Sequence, residues 1–112
     1  MAKRAIILAA GAGKRMAPLS YELPKALLTV RGEVLIERLI RQLHEAGADD
    51  IVLVVGYMKE SLFYLEDAFG ARIRINADYA DTGSAASLFL ARDMLPGAWV
   101  CSSDQYFPEN PF

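Results

Sequence analysis

Gly11-Ala12-Gly13-Lys14-Arg15 sets two positions without a side chain directly beside two cations. Glycine lets backbone N–H groups come close to a ligand and converge on it, and fixed positive charge at the same turn adds to that field. Lys25 returns a third cation on a stretch bounded by Pro18 and Pro24. A polyphosphate is the chemical partner this set suits, which points to an enzyme handling a nucleoside triphosphate. Asp104, just past an apolar run ending at Ser102, is the fourth residue of interest. A carboxylate there can hold Mg²⁺ whose other ligands are water and phosphate oxygens, and Mg²⁺ can orient an α-phosphate for attack. Taken alone it reads more readily as a helix or turn cap; a shared sheet edge with the glycine turn is what raises the metal reading.

The turn matches neither common nucleotide fingerprint. A Walker A loop places Ser or Thr after its lysine, and here Arg15 follows Lys14; a dinucleotide loop places a third glycine where Met16 stands. The glycines alone are also what many strand-to-helix turns carry for steric reasons. The adjacent cations favour the phosphate reading.

Strands and helices alternate along the chain that must position these groups. Arg4–Ala10 reads as a buried strand. Glu33–Ala46 carries Leu35, Ile36, Leu39, Ile40 and Leu43 on one helical face, with Gly47 at the C-terminal stop. Ile51–Val55 is a second buried strand, Glu60–Phe69 a helix ended by Gly70, and Arg72–Ile75 a strand with one wet face. Ser84–Leu95 is a third helix, capped by Thr82 or Ser84 and stopped by Pro96-Gly97. Ala98–Ser102 is the last strand, and Leu27–Val30 fits strand or loop. Such alternation predicts a mainly parallel α/β sheet, in which ligands bind beyond the carboxyl ends of the strands. Gly11–Arg15, Gly56, Asn76–Asp78 and Asp104 all follow strands, so they are expected on one edge.

Composition narrows the partners. The chain has 112 residues and a net charge of −2 with no basic block, which argues against general nucleic-acid binding. No run is apolar for long enough to enter a membrane as a span, and residues 5–10 lack a signal peptide's cleavage region. The single cysteine, Cys101, cannot form an intramolecular disulfide, and a reducing, cytoplasmic setting is expected.

Leu8-Ala9-Ala10-Gly11-Ala12-Gly13-Lys14-Arg15-Met16, Pro18-Leu19 and Pro24-Lys25-Ala26-Leu27 together resemble the signature of the nucleotidyltransferases that make activated sugars and alcohols. Val54-Val55-Gly56-Tyr57, Asn76-Ala77-Asp78-Tyr79-Ala80-Asp81, Ser87-Leu88 and Asp104-Gln105-Tyr106 are most similar to the CTP:phosphocholine cytidylyltransferase branch. The resemblance implies a Rossmann-like three-layer α/β/α fold and transfer of a nucleotidyl group, CMP from CTP foremost, to a phosphorylated small alcohol with release of pyrophosphate. It implies that Ala10, Gly11, Gly13 and Lys14 bind the nucleotide, with Arg15 on its β- and γ-phosphates. Lys25 would stabilise charge around the α-phosphate and the acceptor phosphate, and Asp104 would be a Mg²⁺ ligand. Residues Thr82–Ala85, Gly83 and Ser84 among them, would lie near base or ribose; the branch tends to carry paired asparagines at Gly83-Ser84.

Lys14 also departs from the small hydroxyl residue usual in the family. The resemblance further implies a longer domain, whose following half supplies a second metal-binding aspartate and much of the acceptor pocket. Residues 1–112 then read as the amino-terminal, nucleotide-binding part, with a sheet edge left open to self-association. Two rivals stand beside this reading: a sugar-1-phosphate nucleotidyltransferase, and a nucleotide-binding or assembly module without turnover.

Tyr57, Tyr79 and Tyr106 could help line a pocket for a quaternary ammonium group, although packing is the commoner use of such residues. His44 falls on a polar helix side with no ligand partner in the sequence. Arg38, Arg41 and Glu45 are expected to form a solvated helix face, and Trp99 and Cys101 to pack.

Overall fold

A computed structural model describes residues 4–10, 25–57, 59–77, 84–103 and 105–112, with the backbone alone at Lys25 and at residues 84–86. Gly11, Gly13, Lys14, Arg15, Gly83 and Asp104 lie outside the described residues.

Four parallel strands form the frame: β1 (Arg4–Ala9), β4 (Asp50–Val55), β5 (Arg72–Ile75) and β6 (Ala98–Ser102), in the order β5-β4-β1-β6. After their first residues, Arg4 and Asp50, the two central strands are apolar because both of their faces are covered. Ala5, Ile7, Ala9, Ile51, Leu53 and Val55 face one core together with Ile36, Leu39, Ile40 and Leu43 of α1 (Leu35–Glu45) and Leu65 of α2 (Tyr64–Phe69). Ile6, Val52 and Val54 face a second core with Ala91 and Met94, beside α3 (Ser84–Leu90). The parallel sheet expected from the alternation is present, with helices on both faces as the resemblance implies. No helix among the described residues is long and apolar enough to cross a membrane.

The helix expected over Glu33–Ala46 starts two residues late. Arg31 (φ 52°) and Gly32 (φ 83°) both have positive φ, as a tight two-residue hairpin turn requires. That turn pairs β2 (Thr29–Val30) with β3 (Glu33–Val34) antiparallel, so Glu33 and Val34 are spent in the hairpin before α1 can begin. At its other end Gly47 (φ 97°) closes α1 with two bonds, Gly47 N–H to His44 C=O (3.0 Å) and Ala48 N–H to Leu43 C=O (2.9 Å). A side chain at Gly47 would strain that left-handed position.

The second and third expected helices are each broken. A 3-10 turn at Lys59–Leu62 precedes α2, and a 3-10 turn at Arg92–Met94 follows α3. The second break has a visible cause. Arg74 on β5 donates to Leu90 C=O at the end of α3 (2.9 Å) and to both carboxylate oxygens of Asp93. Tightening the chain after Leu90 brings Asp93 onto that guanidinium.

The ion pair has a pH consequence. Arg74 holds the Asp93 carboxyl down at about 2, against an ordinary 3.8. The folded-state value is depressed, so the stabilisation is complete above the ordinary value and is lost as pH falls toward about 2. Asp93→Asn is therefore expected to lower the thermal midpoint at neutral pH, and its difference from the parent protein to close between those two pH values. Midpoints recorded across that range check it; a difference independent of pH would contradict it.

Candidate functional site

Because β1, β4, β5 and β6 are parallel, their carboxyl ends meet along one edge, and the register aligns them closely. Ala9 is level with Val55 and Val55 with Ile75, while Leu8 is level with Ser102. The residues leaving the sheet therefore run Asn76, Gly56, Ala10, Ser103 across the edge. With neighbouring strands about 4.8 Å apart, Asn76 and Ser103 stand roughly 14 Å from each other with Ala10 between them, a span matched to a nucleotide. Asn76 and Gly56 fall on this edge as the sequence predicts.

Backbone bonds stitch the edge together. Ala10, 5% exposed, accepts the Tyr57 N–H on its carbonyl (3.0 Å), which fixes the last residue before the glycine turn against β4. Asn76 donates its backbone N–H to Val55 C=O (2.7 Å), and its side-chain amide donates to Ser87 Oγ (3.0 Å). Both residues are buried, so this pair ties the end of β5 to α3 on either side of residues 77–83. Buried polar groups are costly unless bonded, which makes the pair a fixed joint. Ser84, from the candidate base or ribose segment, is the first residue of α3.

On the other flank Ser103 N–H reaches Leu8 C=O (3.1 Å), Gln105 N–H reaches Ser102 C=O (3.2 Å), and the Gln105 side-chain oxygen accepts the Ser102 N–H (3.1 Å). Both sequence neighbours of Asp104 are thus held at the end of β6, beside β1. Among the described residues no group of three or more His, Cys, Asp or Glu could hold a metal ion by itself.

Lys25 opens a 3-10 turn, Lys25–Leu27, packed beside α1. The turn is anchored by its neighbours: Ala26 is 1% exposed in the core that contains Ala9, and Leu27 packs against the same core.

Arg38 does not belong to a solvated face. Its side chain is 20% exposed, and its guanidinium lies 4.9 Å above the Tyr106 ring. One face of Tyr106 is therefore occupied by a cation already and is closed to a ligand's ammonium group. Arg41 and Glu45 are exposed as expected, Arg41 bonding to Glu33 (2.9 Å). The guanidinium groups of Arg41 and Arg38 hold the Glu33 carboxyl below the usual range. Trp99 packs on Phe112, and burial pushes the Cys101 thiol up to about 11, leaving it protonated and inert. Sequence reasoning missed the roles of Arg38, Gln42 and the Asn76–Ser87 joint. Gln42 carried the one usable signal, a polar residue one helical turn after Arg38 on the same side of α1.

The family profile of the MobA-like NTP transferase domain matches residues 5–110. The chain belongs to that family. Over 109 residues it is 42% identical to choline-phosphate cytidylyltransferase of Streptococcus pneumoniae, a match covering 97% of this chain and 48% of that protein. It is 41% identical over 103 residues to 2-aminoethylphosphonate cytidylyltransferase of Lancefieldella rimae, covering 89% of this chain and 42% of the other. The solved structure of CTP:phosphocholine cytidylyltransferase from Streptococcus pneumoniae superposes with a TM-score of 0.96, at 42% identity, over 100% of this chain and 49% of that one. The fold is thus the Rossmann-like fold of the nucleotidyltransferases, and the chain spans about half the length of the curated relatives it matches.

Proposed function

We propose that residues 1–112 are the nucleotide-binding part of a nucleotidyltransferase domain that moves CMP from CTP to a phosphorylated small alcohol such as phosphocholine. The observation carrying this reading is the 42% identity to a choline-phosphate cytidylyltransferase, spread over 97% of the chain. The edge geometry agrees with it. A nucleotide lying beyond Ala10 would span from the Asn76–Ser87 joint beside α3 to Ser103 at the end of β6.

An acceptor phosphate oxygen attacks the α-phosphorus of CTP, the bond from that phosphorus to the bridging oxygen breaks, and pyrophosphate leaves. The acceptor is already an anion, so no general base is required. Catalysis is then positioning and neutralisation of charge. Backbone groups of Ala10, Gly11 and Gly13, with Lys14, hold the nucleotide; Arg15 bears on the β- and γ-phosphates; Lys25 offsets charge where the α-phosphate and acceptor phosphate meet. Asp104 would hold Mg²⁺, which when bound would neutralise phosphate charge and orient the α-phosphate for attack. A cytoplasmic setting fits a single cysteine, Cys101, that is buried and has no intramolecular partner.

The test is pyrophosphate release in Mg²⁺ with each of the four common ribonucleoside triphosphates against phosphocholine, 2-aminoethylphosphonate and several sugar 1-phosphates. Release with CTP and a phosphorylated alcohol is expected. Release only with a sugar 1-phosphate would move the acceptor class. A thermal midpoint raised by CTP with no pyrophosphate for any acceptor would make this chain a binding module.

A further inference from the structure

Arg72, Arg74 and Asn76 follow one another at two-residue spacing, so their side chains leave β5 and its end on one face of the sheet. That is the face of Val52 and Val54, which α3 and the turn after it cover. Each of the three side chains reaches the covering segment. Arg72 Nη2 lies 3.1 Å from Met94 Sδ, Arg74 donates to Leu90 C=O (2.9 Å) and to Asp93, and Asn76 Nδ2 donates to Ser87 Oγ (3.0 Å). Toward the carboxyl edge the strand residue advances as the helix residue falls back, so α3 runs antiparallel to β5 and is pinned to it at successive levels. The opposite layer has a comparable tie, with Arg38 and Gln42 of α1 both donating to Phe107 C=O (2.9 and 3.0 Å).

The ties from β5 differ in kind. Arg72 and Arg74 are charged, and each also pairs with a partly exposed carboxylate, Asp50 and Asp93. Asn76 and Ser87 are neutral, 5% and 3% exposed, and meet at the carboxyl edge, where parallel sheets take their ligands. The two arginines and the burial of Ala91 and Met94 already hold the segment on the sheet. A buried hydrogen bond adds little net stability to that and adds direction, because it is satisfied at one separation only.

We infer that Asn76 is a positioning residue for the nucleotide: through Ser87 it sets how α3 stands against the end of β5, and with it the affinity for a nucleoside triphosphate. The inference rests on the nucleotidyl-transfer reading and deepens it. Without the Asn76–Ser87 bond, Arg72 and Arg74 still hold the segment, so α3 shifts at the edge and does not detach. The loss then falls on binding, with KM for the nucleotide raised and kcat kept.

The experiment measures CTP affinity by titration calorimetry in Mg²⁺, with thermal midpoints on the same preparations, for the parent protein, Asn76→Ala, Ser87→Ala, the double variant and Asp93→Asn. Each single variant of the pair is expected to bind CTP about tenfold or more weakly, the scale of a small misplacement remote from the reacting atoms. The double variant should bind no more weakly than the weaker single, because both remove one bond. Asp93→Asn loosens α3 away from the edge, and should lower the midpoint while keeping CTP affinity within about twofold.

CTP affinity near that of the parent in a folded Asn76→Ala overturns the inference. An equal loss in Asp93→Asn also overturns it, since general loosening of α3 would then suffice. If Asn76→Ala does not fold, Ser87→Ala decides by the same criterion; if neither folds, the pair is structural and the inference is overturned. A parent protein that does not bind CTP overturns the nucleotide reading and the inference with it, whereas a parent that binds beside unchanged variants removes only the role of Asn76.

Discussion

Lys25→Ala is expected to lower turnover by about a hundred- to a thousandfold while moving the thermal midpoint by no more than a few degrees, the scale seen when one preorganised electrostatic group is removed from a transition state. Two physical facts set these expectations apart. The turn that carries Lys25 is anchored by Ala26 and Leu27, whose burial does not depend on the ammonium group. In the proposed reaction, by contrast, two anions approach each other, and the positive charge of Lys25 would offset their repulsion. Lys25→Arg keeps the charge on a differently shaped group and should recover part of the rate. Pyrophosphate release and thermal unfolding, measured on the same preparations, decide the matter. Turnover in Lys25→Ala within threefold of the parent protein would remove Lys25 from the reaction.

Asp104→Asn should have an effect of similar size with a different signature. The substitution keeps the shape of the side chain and removes the charge. Turnover is expected to fall by at least about a hundredfold, and the Mg²⁺ concentration giving half the maximal rate to rise. Stability should hold, because Ser102, Ser103 and Gln105 make backbone and side-chain bonds of their own at the end of β6. Rates across a Mg²⁺ titration provide the check. A variant with lower turnover but an unchanged Mg²⁺ requirement would make Asp104 something other than a metal ligand.

The parts of the fold legible in the sequence are those governed by local signals. Ile6–Leu8 and Ile51–Val55 are apolar without alternation because strands covered on both faces have no wet side, and their central place in the sheet follows. Gly47 and Gly70 mark helix ends because the left-handed backbone there excludes most other residues. Helix starts and breaks were less legible. Glu33 and Val34 continue the helical pattern, yet the turn at Arg31-Gly32 commits them to a hairpin first. Ala91 lies within a helical pattern, but the pull of Arg74 on Leu90 and Asp93 tightens the chain there.

The site divides in the same way. The convergence of Ala10, Gly56, Asn76 and Ser103 follows from parallel topology alone. The bond from Arg38 to Phe107 joins residues 69 apart, and no pattern within a helix announces it. The buried Asn76–Ser87 pair was equally hidden, since nothing local distinguishes a serine bonded to a distant amide from one facing water.

The strand order also fixes a sequence of events. Of the four parallel strands β1 is made first, yet it lies between β4 and β6, with Arg4 level with Asp50 on one side and Ala98 on the other. The earliest of these strands is therefore among the last to be enclosed. Until Trp99 and Cys101 arrive, one edge of Ile6 and Ile7 has no strand beside it, and an apolar strand stays open from the synthesis of β1 to that of β6. Residues 98–108 do two jobs at once: β6 closes the sheet around β1, and the stretch after it delivers the carbonyls that Arg38 grips.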